Sequence, residues 1–171
     1  TNKAILSKVY IPKFILLVVR MGVNGFKMFI SLLIIVAMLA FWRVPITWNV
    51  LYTVPILLTL AILVFGFGCF LLHYGVFVED LSNVLNIALR FLFYLTGIFW
   101  NIMDKLPAPI NSYIGKGNPI AFLLTSMRQC LIYGKTPHRK LLLLWFVVGL
   151  IISILGVRKI YKNENSYVKV I

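Results

Sequence analysis

Four long apolar stretches restrict what this chain can fold into. They cover about residues 15–41, 49–74, 82–102 and 141–157. A hydrocarbon core of about 30 Å is crossed by roughly 20 helical residues. Because lipid offers the backbone no hydrogen-bond partners, a segment that spans it alone must be helical. The sequence therefore predicts an all-α integral membrane protein, with four transmembrane helices in a single membrane domain over residues 1–171.

Composition supports a membrane location and argues against binding of nucleic acid. Hydrophobic residues make up 61% of the chain and charged residues 12%, against about half and about a quarter in soluble domains. The net charge of +13 comes from 17 Lys and Arg and 4 Asp and Glu. The basic residues are spread over loops and helix ends, a distribution typical of membrane anchoring. We therefore expect contacts with membrane lipid or an anionic substrate, and no nucleic-acid partner.

No group of residues in the sequence predicts catalysis or a metal site. Cys69 and Cys130 stand alone in apolar runs, without the spacing of a zinc site or a disulfide framework. The stretch "YGKTP" at 133–137 ends like a P-loop, but Gln129 replaces the earlier glycine of that motif. We therefore expect a non-enzymatic chain without its own cofactor or metal. Any ATP and Mg²⁺ would bind a partner subunit.

The distribution of basic residues indicates an orientation, with one conflict. Lysines and arginines before residue 15 and after residue 157 favour cytoplasmic ends, including a cytoplasmic tail at 158–171. The turn at 41–48, which contains Trp42 and Trp48, is then external. The segment 103–140 would also be external, although that location is unusual for so many cations. Its basic residues are Lys105, Lys116, Arg128, Lys135, Arg139 and Lys140.

The segment "NPIAFLLTSMRQCLIYG" at 118–134 is too short to cross a membrane and too apolar for an ordinary loop. Pro119 suits a first helical turn and Gly134 a C-terminal stop. We predict a re-entrant helix on the outer side, within an external re-entrant region at 103–140, and an amphipathic interfacial helix is the alternative. Arg128 would point toward lipid head groups or cargo. The predicted apolar face consists of Ile120, Leu123, Leu124, Met127 and Leu131.

Two of the predicted spans contain polar residues at helical spacing. The first has Arg20, Asn24, Lys27 and Ser31 on one face, and the third has Ser82, Asn86 and Arg90. Since an unpaired charge in hydrocarbon is costly, these faces are candidates for a polar path. The alternative for the first face is that its basic side chains extend to the membrane interface. The alternative for the aromatic residues that follow the polar face of the third span is an interfacial aromatic belt. Those aromatic residues are Phe91, Phe93, Tyr94, Phe99 and Trp100.

Four motifs occur in the order found in one transporter family. They are "KVYIPKF" at 8–14, "FVEDL" at 77–81, "FYLTGIFWNI" at 93–102 and "NPIAFLLTSMRQCLIYG" at 118–134. Together they resemble the permease subunits of polysaccharide, O-antigen and teichoic-acid exporters, which are type-2 ABC transporters. The chain departs from the family at Glu79-Asp80, where a basic-acidic pair is usual, and at Gly97, where proline is frequent.

The resemblance implies a role for several segments. Residues 1–13 would be a cytoplasmic segment that couples to the ATPase, 82–102 would line the channel, and 103–134 would form re-entrant helices at its exit. Because the family has about two further spans before the coupling segment, the resemblance implies a C-terminal portion without the first two spans. The implied coupling residues are Lys8, Tyr10, Pro12 and Lys13.

The leading functional hypothesis is the permease of an ATP-driven exporter of a lipid-linked polysaccharide in the bacterial cytoplasmic membrane. The chain would pair with itself and with an ATP-binding cassette ATPase subunit. Fixed cations would compensate a lipid pyrophosphate, and aromatic rings would stack on sugars. The alternatives are a type-2 exporter of a drug or small lipid, and a non-transporting scaffold. The predicted path residues are Arg20, Asn24, Lys27, Asn86, Arg90, Phe93, Tyr94, Phe99, Trp100 and Arg128.

Overall fold

The computed structural model describes residues 13–44, 47–78, 80–98, 107 and 110–163, and every regular element within them is helical. Lys8, Tyr10, Pro12, Phe99 and Trp100 lie outside the described residues, and of Lys13 only the backbone is described, at the start of the first helix. The helices are α1 (Lys13–Phe41), a 3-10 helix (Trp48–Tyr52), α2 (Thr53–Phe77), α3 (Leu81–Leu95), α4 (Ile110–Gly117), α5 (Pro119–Leu131) and α6 (Arg139–Lys162).

Within the described residues, three helices are long and apolar enough to cross a membrane: Ile15–Phe41, Trp48–Gly75 and Arg139–Lys162. They match the first, second and fourth predicted spans. The prediction of four spans is not confirmed, because α3 has only 15 residues. At a rise of about 1.5 Å per residue such a helix extends about 22 Å, less than the hydrocarbon core of about 30 Å.

The end of α3 explains why it is shorter than the predicted 82–102. Gly97 has a φ of 67°, the left-handed conformation that commonly ends a helix and that glycine adopts without steric cost. The preceding Thr96 is the C-cap, and its hydroxyl donates to the carbonyl oxygen of Leu92. The helix therefore stops at Leu95, in the middle of the predicted apolar stretch.

Helices α2 and α6 run parallel and form the centre of the fold. Arg139 contacts Tyr52 at one end of the pair, and Lys159 contacts Tyr74 at the other. Between these ends Gly149, Ser153 and Gly156 of α6 face Ile62, Gly66 and Cys69 of α2. The Ser153 hydroxyl donates to the carbonyl oxygen of Ile62 at 2.9 Å. Small residues at such spacing let two membrane helices approach closely, so that van der Waals contacts hold them together.

The remaining helices pack around this pair. Helix α1 packs on α2 and α6, α3 packs on α2, and α5 packs on the 3-10 helix and α2. Ile56 and Leu63 of α2, Phe122 and Leu123 of α5 and Leu142 of α6 belong to one buried cluster. Helix α5 therefore shares a buried apolar cluster with the N-terminal halves of α2 and α6.

Helices α4 and α5 form a hairpin beside α6. The indole Nε1 of Trp145 donates to the carbonyl oxygen of Lys116 at 3.3 Å. Trp145 follows the start of α6 by six residues, or about 9 Å of helix. At the far end of α5 the Asn49 amide donates to the carbonyl oxygen of Gly134 at 2.5 Å. The turn between α4 and α5 thus lies further along the bundle than the end of α5.

The predicted start of α5 is confirmed, and its end lies close to the predicted one. Pro119 occupies the first turn, and the Asn118 side-chain oxygen accepts from the main-chain N–H groups of Ile120 and Ala121 at 3.0 and 3.4 Å. The helix ends at Leu131, and Gly134 follows with a φ of 59°. The N–H of Lys135 then donates to the carbonyl oxygen of Gln129 at 2.8 Å, which closes the turn.

The predicted apolar face of α5 was wrong in part. Leu123 is buried as expected, but Ile120 is exposed, and Leu124, Met127 and Leu131 are only partly buried. The buried face is rotated toward Ala121, Ser126 and Cys130, because these small side chains allow α5 to approach its neighbours closely. The buried residues are Ala121, Phe122, Leu123, Ser126 and Cys130.

Candidate functional site

Helix α3 has two contrasting exposed faces. One is a cationic and aromatic face, which we define as Asn86, Arg90, Phe93 and Tyr94; with Leu89 these residues line an open recess of about 560 Å³. The rings of Phe93 and Tyr94 meet edge to face, with their centroids 5.8 Å apart. The other face is apolar and consists of Val84, Ile87, Ala88, Phe91, Leu92 and Leu95.

This arrangement combines three kinds of recognition on one side of a helix. The Arg90 guanidinium offers several N–H donors in a plane, which suits a phosphate or carboxylate. The Asn86 amide adds both a donor and an acceptor one turn earlier. The rings of Phe93 and Tyr94 follow on the same side. The cationic and aromatic face therefore suits a ligand that has both a negative charge and sugar-like polar surface.

The carboxylate of Asp80, which directly precedes α3, is bound within its own turn and does not line the cationic and aromatic face. The Asn83 amide donates to the Asp80 carboxylate at 2.6 Å, and the N–H groups of Asn83 and Val84 donate to the Asp80 carbonyl oxygen. Asp80 therefore belongs to the turn between α2 and α3. Its neighbour Glu79 lies outside the described residues.

Arg128 of α5 joins that helix to the end of α3. Its Nη2 atom donates to the carbonyl oxygens of Gly97 at 3.1 Å and Ile98 at 2.5 Å. Thr96 and Gly97 are buried, and Arg128 is partly buried. Because the C-terminal carbonyls of a helix form its negative end, a guanidinium is favourable there. Of the two predicted surroundings, lipid head groups and cargo, neither accounts for these contacts, which are made with the backbone of the chain itself.

The polar residues of α1 do not line the recess on α3. Arg20, Asn24 and Lys27 are exposed, and the Ser31 hydroxyl donates to the carbonyl oxygen of Lys27 at 3.1 Å. Helix α1 contacts α2 through Leu17, whose side chain lies against Gly68. The packing edge and the polar face of α1 are therefore neighbouring sides of the helix. The described members of the predicted path thus lie on three helices, α1, α3 and α5.

The cation–aromatic contacts at the ends of the α2–α6 pair were not predicted. The Arg139 guanidinium lies 5.3 Å from the ring centroid of Tyr52. At the other end the Lys159 ammonium lies 2.6 Å from the Tyr74 hydroxyl and 4.4 Å from its ring centroid. His73, beside Tyr74, is buried. The sequence shows aromatic residues at the end of one apolar stretch and basic residues on both sides of another. It does not show which of them lie together, because that depends on the packing of α2 against α6.

Comparisons with family models, with curated proteins and with solved structures give no match to this chain. Among the described residues, no group of three or more His, Cys, Asp and Glu side chains is placed to hold a metal ion.

Proposed function

We propose that the chain is the membrane-spanning permease subunit of an ATP-driven exporter of a lipid-linked polysaccharide, such as a teichoic acid or an O-antigen-like glycan. We infer that the chain resides in the cytoplasmic membrane of a bacterium. The observation that supports this proposal most strongly is the cationic and aromatic face of α3, which lies on the opposite side from an apolar face of similar size.

The position of Arg90 requires a polar environment. It is the tenth of 15 residues in α3, and it is exposed on this chain. A basic side chain within a membrane segment faces water, protein or an anion, because its exposure to hydrocarbon is costly. The apolar face of α3 suits lipid or another helix. In the proposed transporter, α3 therefore turns Arg90 toward the path of the substrate.

A phosphate-linked glycan fits that path better than an uncharged molecule. A lipid pyrophosphate would bind Arg90, and the Arg20 and Lys27 cations of α1 would add to the same potential if a second copy of the chain completes the path. The rings of Phe93 and Tyr94 would stack on the sugars that follow. An uncharged drug would use none of these cations.

The energy for transport would come from a separate ATP-binding cassette subunit. The beginning of α1 and the ends of α2 and α6 lie at the same end of the bundle, as the contacts of Leu17 with Gly68 and of Lys159 with Tyr74 indicate. In the proposed orientation this end is cytoplasmic. Lys8, Tyr10, Pro12 and Lys13 would then couple the permease to the ATPase from the segment that leads into α1.

We expect the substitution Arg90→Gln to lower glycan export about tenfold, because one charge-assisted contact with a phosphate is lost. Export is measured as the rate at which newly made glycan becomes accessible to a membrane-impermeant label on intact cells. Arg158→Gln, which removes an exposed cation near the end of α6, is the matched control and should retain normal export. Normal export by the Arg90 variant, at an equal amount of inserted protein, would contradict the proposed role.

A further inference from the structure

A second polar recess lies where α5 leads into α6. It has a volume of about 500 Å³ and is lined by Gln129, Thr136, Pro137, His138, Arg139 and Lys140. We call it the basic recess. It is separate from the cationic and aromatic face of α3, since the two share no lining residue.

The walls of the basic recess are fixed by contacts outside it. Pro137 is buried, and the Arg139 guanidinium lies over the ring of Tyr52. The carbonyl oxygen of Gln129 accepts from the N–H of Lys135, which anchors the start of the connection to α5. Thr136, His138 and Lys140 are exposed. The recess therefore presents several side-chain donors from a connection held at both ends.

The positive charge of the basic recess is not balanced by the described part of the chain. The one carboxylate side chain among the described residues is that of Asp80, which lies in the turn between α2 and α3 at the other end of the bundle and accepts from Asn83. Arg139 and Lys140 do not stabilise α6 either, because they lie where this helix begins and cations stabilise the C-terminal end of a helix. A bound anion would compensate both side chains.

Exposed tryptophans place the basic recess at the level of lipid head groups. Trp42 and Trp48, at the same end of the bundle, are 72% and 92% exposed, and exposed tryptophans mark the membrane–water interface. Phosphate groups are the common anions at this level. The positive-inside rule does not explain the cations at this end of the bundle, because this end is inferred to be external.

We propose that the basic recess binds a phosphate group, either that of an anionic phospholipid or a free phosphate. Arg139 and Lys140 bind the phosphate oxygens, and the Thr136 hydroxyl and the Gln129 amide donate further hydrogen bonds. This site is distinct from the proposed export path, and it holds whether or not the chain is a permease.

The test uses the full chain in an uncharged detergent. Native mass spectrometry measures the retention of phosphatidylglycerol against phosphatidylcholine at equal concentrations. The double variant Arg139→Gln/Lys140→Gln should raise the apparent Kd for phosphatidylglycerol about thirtyfold, since each cation near a membrane surface contributes about 1 kcal/mol. The matched control Arg158→Gln/Lys162→Gln removes two cations from the other end of α6 and should leave the strongest phosphatidylglycerol site unchanged.

A second measurement distinguishes the source of the phosphate. Inorganic phosphate is titrated while the Tm of the wild type and of both double variants is recorded. A rise in Tm that is absent only in the Arg139/Lys140 variant identifies free phosphate, whereas retention of phosphatidylglycerol without that rise identifies a lipid head group. Gln129→Ala, which leaves the charge unchanged, should weaken whichever binding is seen. Equal losses in both double variants, or no loss in either, would overturn the proposal.

Discussion

Replacing Gly156 with leucine is expected to separate α2 from α6 and to lower the free energy of unfolding by more than about 3 kcal/mol. A Cβ atom at this position would lie 2.7 Å from the Cβ of Cys69 and 3.2 Å from the carbonyl oxygen of Gly66. Both contacts are with atoms that cannot rotate away. The helices must therefore move apart, and the hydrogen bond from Ser153 to Ile62 would be lost with the close packing around it.

Two further variants are the comparisons for Gly156→Leu. Gly156→Ala adds only the Cβ and should cost about 1–3 kcal/mol. Gly22→Leu makes the same change on α1, where no neighbouring atom lies within 4 Å, and controls for the higher helix propensity of leucine. Unfolding is followed by circular dichroism during titration of a mild detergent with a denaturing one. A Gly156→Leu protein as stable as the Gly22 control would show that α2 and α6 do not pack as described.

The substitution Arg128→Gln is expected to release the end of α3 from α5. It removes the guanidinium donor to the carbonyl oxygens of Gly97 and Ile98. Hydrogen bonds from a charged group contribute roughly 1.5–3 kcal/mol, so opening of this junction should become about 10- to 150-fold more frequent. The measurement is hydrogen–deuterium exchange of the Thr96 amide, which donates to Leu92 at 2.9 Å in the intact helix end.

Arg128→Lys and Arg158→Gln are the comparisons for this measurement. Lysine retains the charge near the carbonyls but not the planar guanidinium, so its exchange rate should lie between wild type and Arg128→Gln. The Arg158 variant should exchange like wild type, because this exposed cation lies elsewhere, near the end of α6. Unchanged exchange at Thr96 in Arg128→Gln would mean that Arg128 does not hold the junction.

Long apolar stretches made three of the helices predictable. The ends of α1 and α6 fall within a few residues of the predicted spans because hydrophobic length sets both. The end of α3 was not predicted, since a glycine inside an apolar run is tolerated by many membrane helices. Only its backbone conformation shows that Gly97 stops the helix.

The contacts between helices were beyond what the sequence could predict. Gly66 and Gly68 are typical of membrane helices, but their spacing does not identify Gly156 and Ser153 as the residues opposite. The predicted orientation runs α2 and α6 in the same direction, but it does not show that these two helices pack against each other. The partners of Arg128 were missed for a related reason, because main-chain carbonyls leave no trace in the side-chain pattern.

Helical spacing groups polar residues within α3, but it does not relate one helix to another. It places Asn86 and Arg90 on one side of α3, and in the structure the predicted path residues Phe93 and Tyr94 line the same recess. Spacing within one helix cannot show whether the polar face of α1 meets that of α3. The recess described on α3 is lined by residues of α3 alone.

The most direct measurement of the proposed export function is transfer of a lipid-linked glycan across a proteoliposome membrane. The protein is reconstituted together with the ATPase that co-purifies with it, and protected glycan is counted with ATP or with a non-hydrolysable analogue. We expect transfer only with ATP, and slower transfer by the Arg90→Gln variant. Equal glycan distributions with ATP and with the analogue, in vesicles whose ATPase is active, would contradict the proposal that this chain is an export permease.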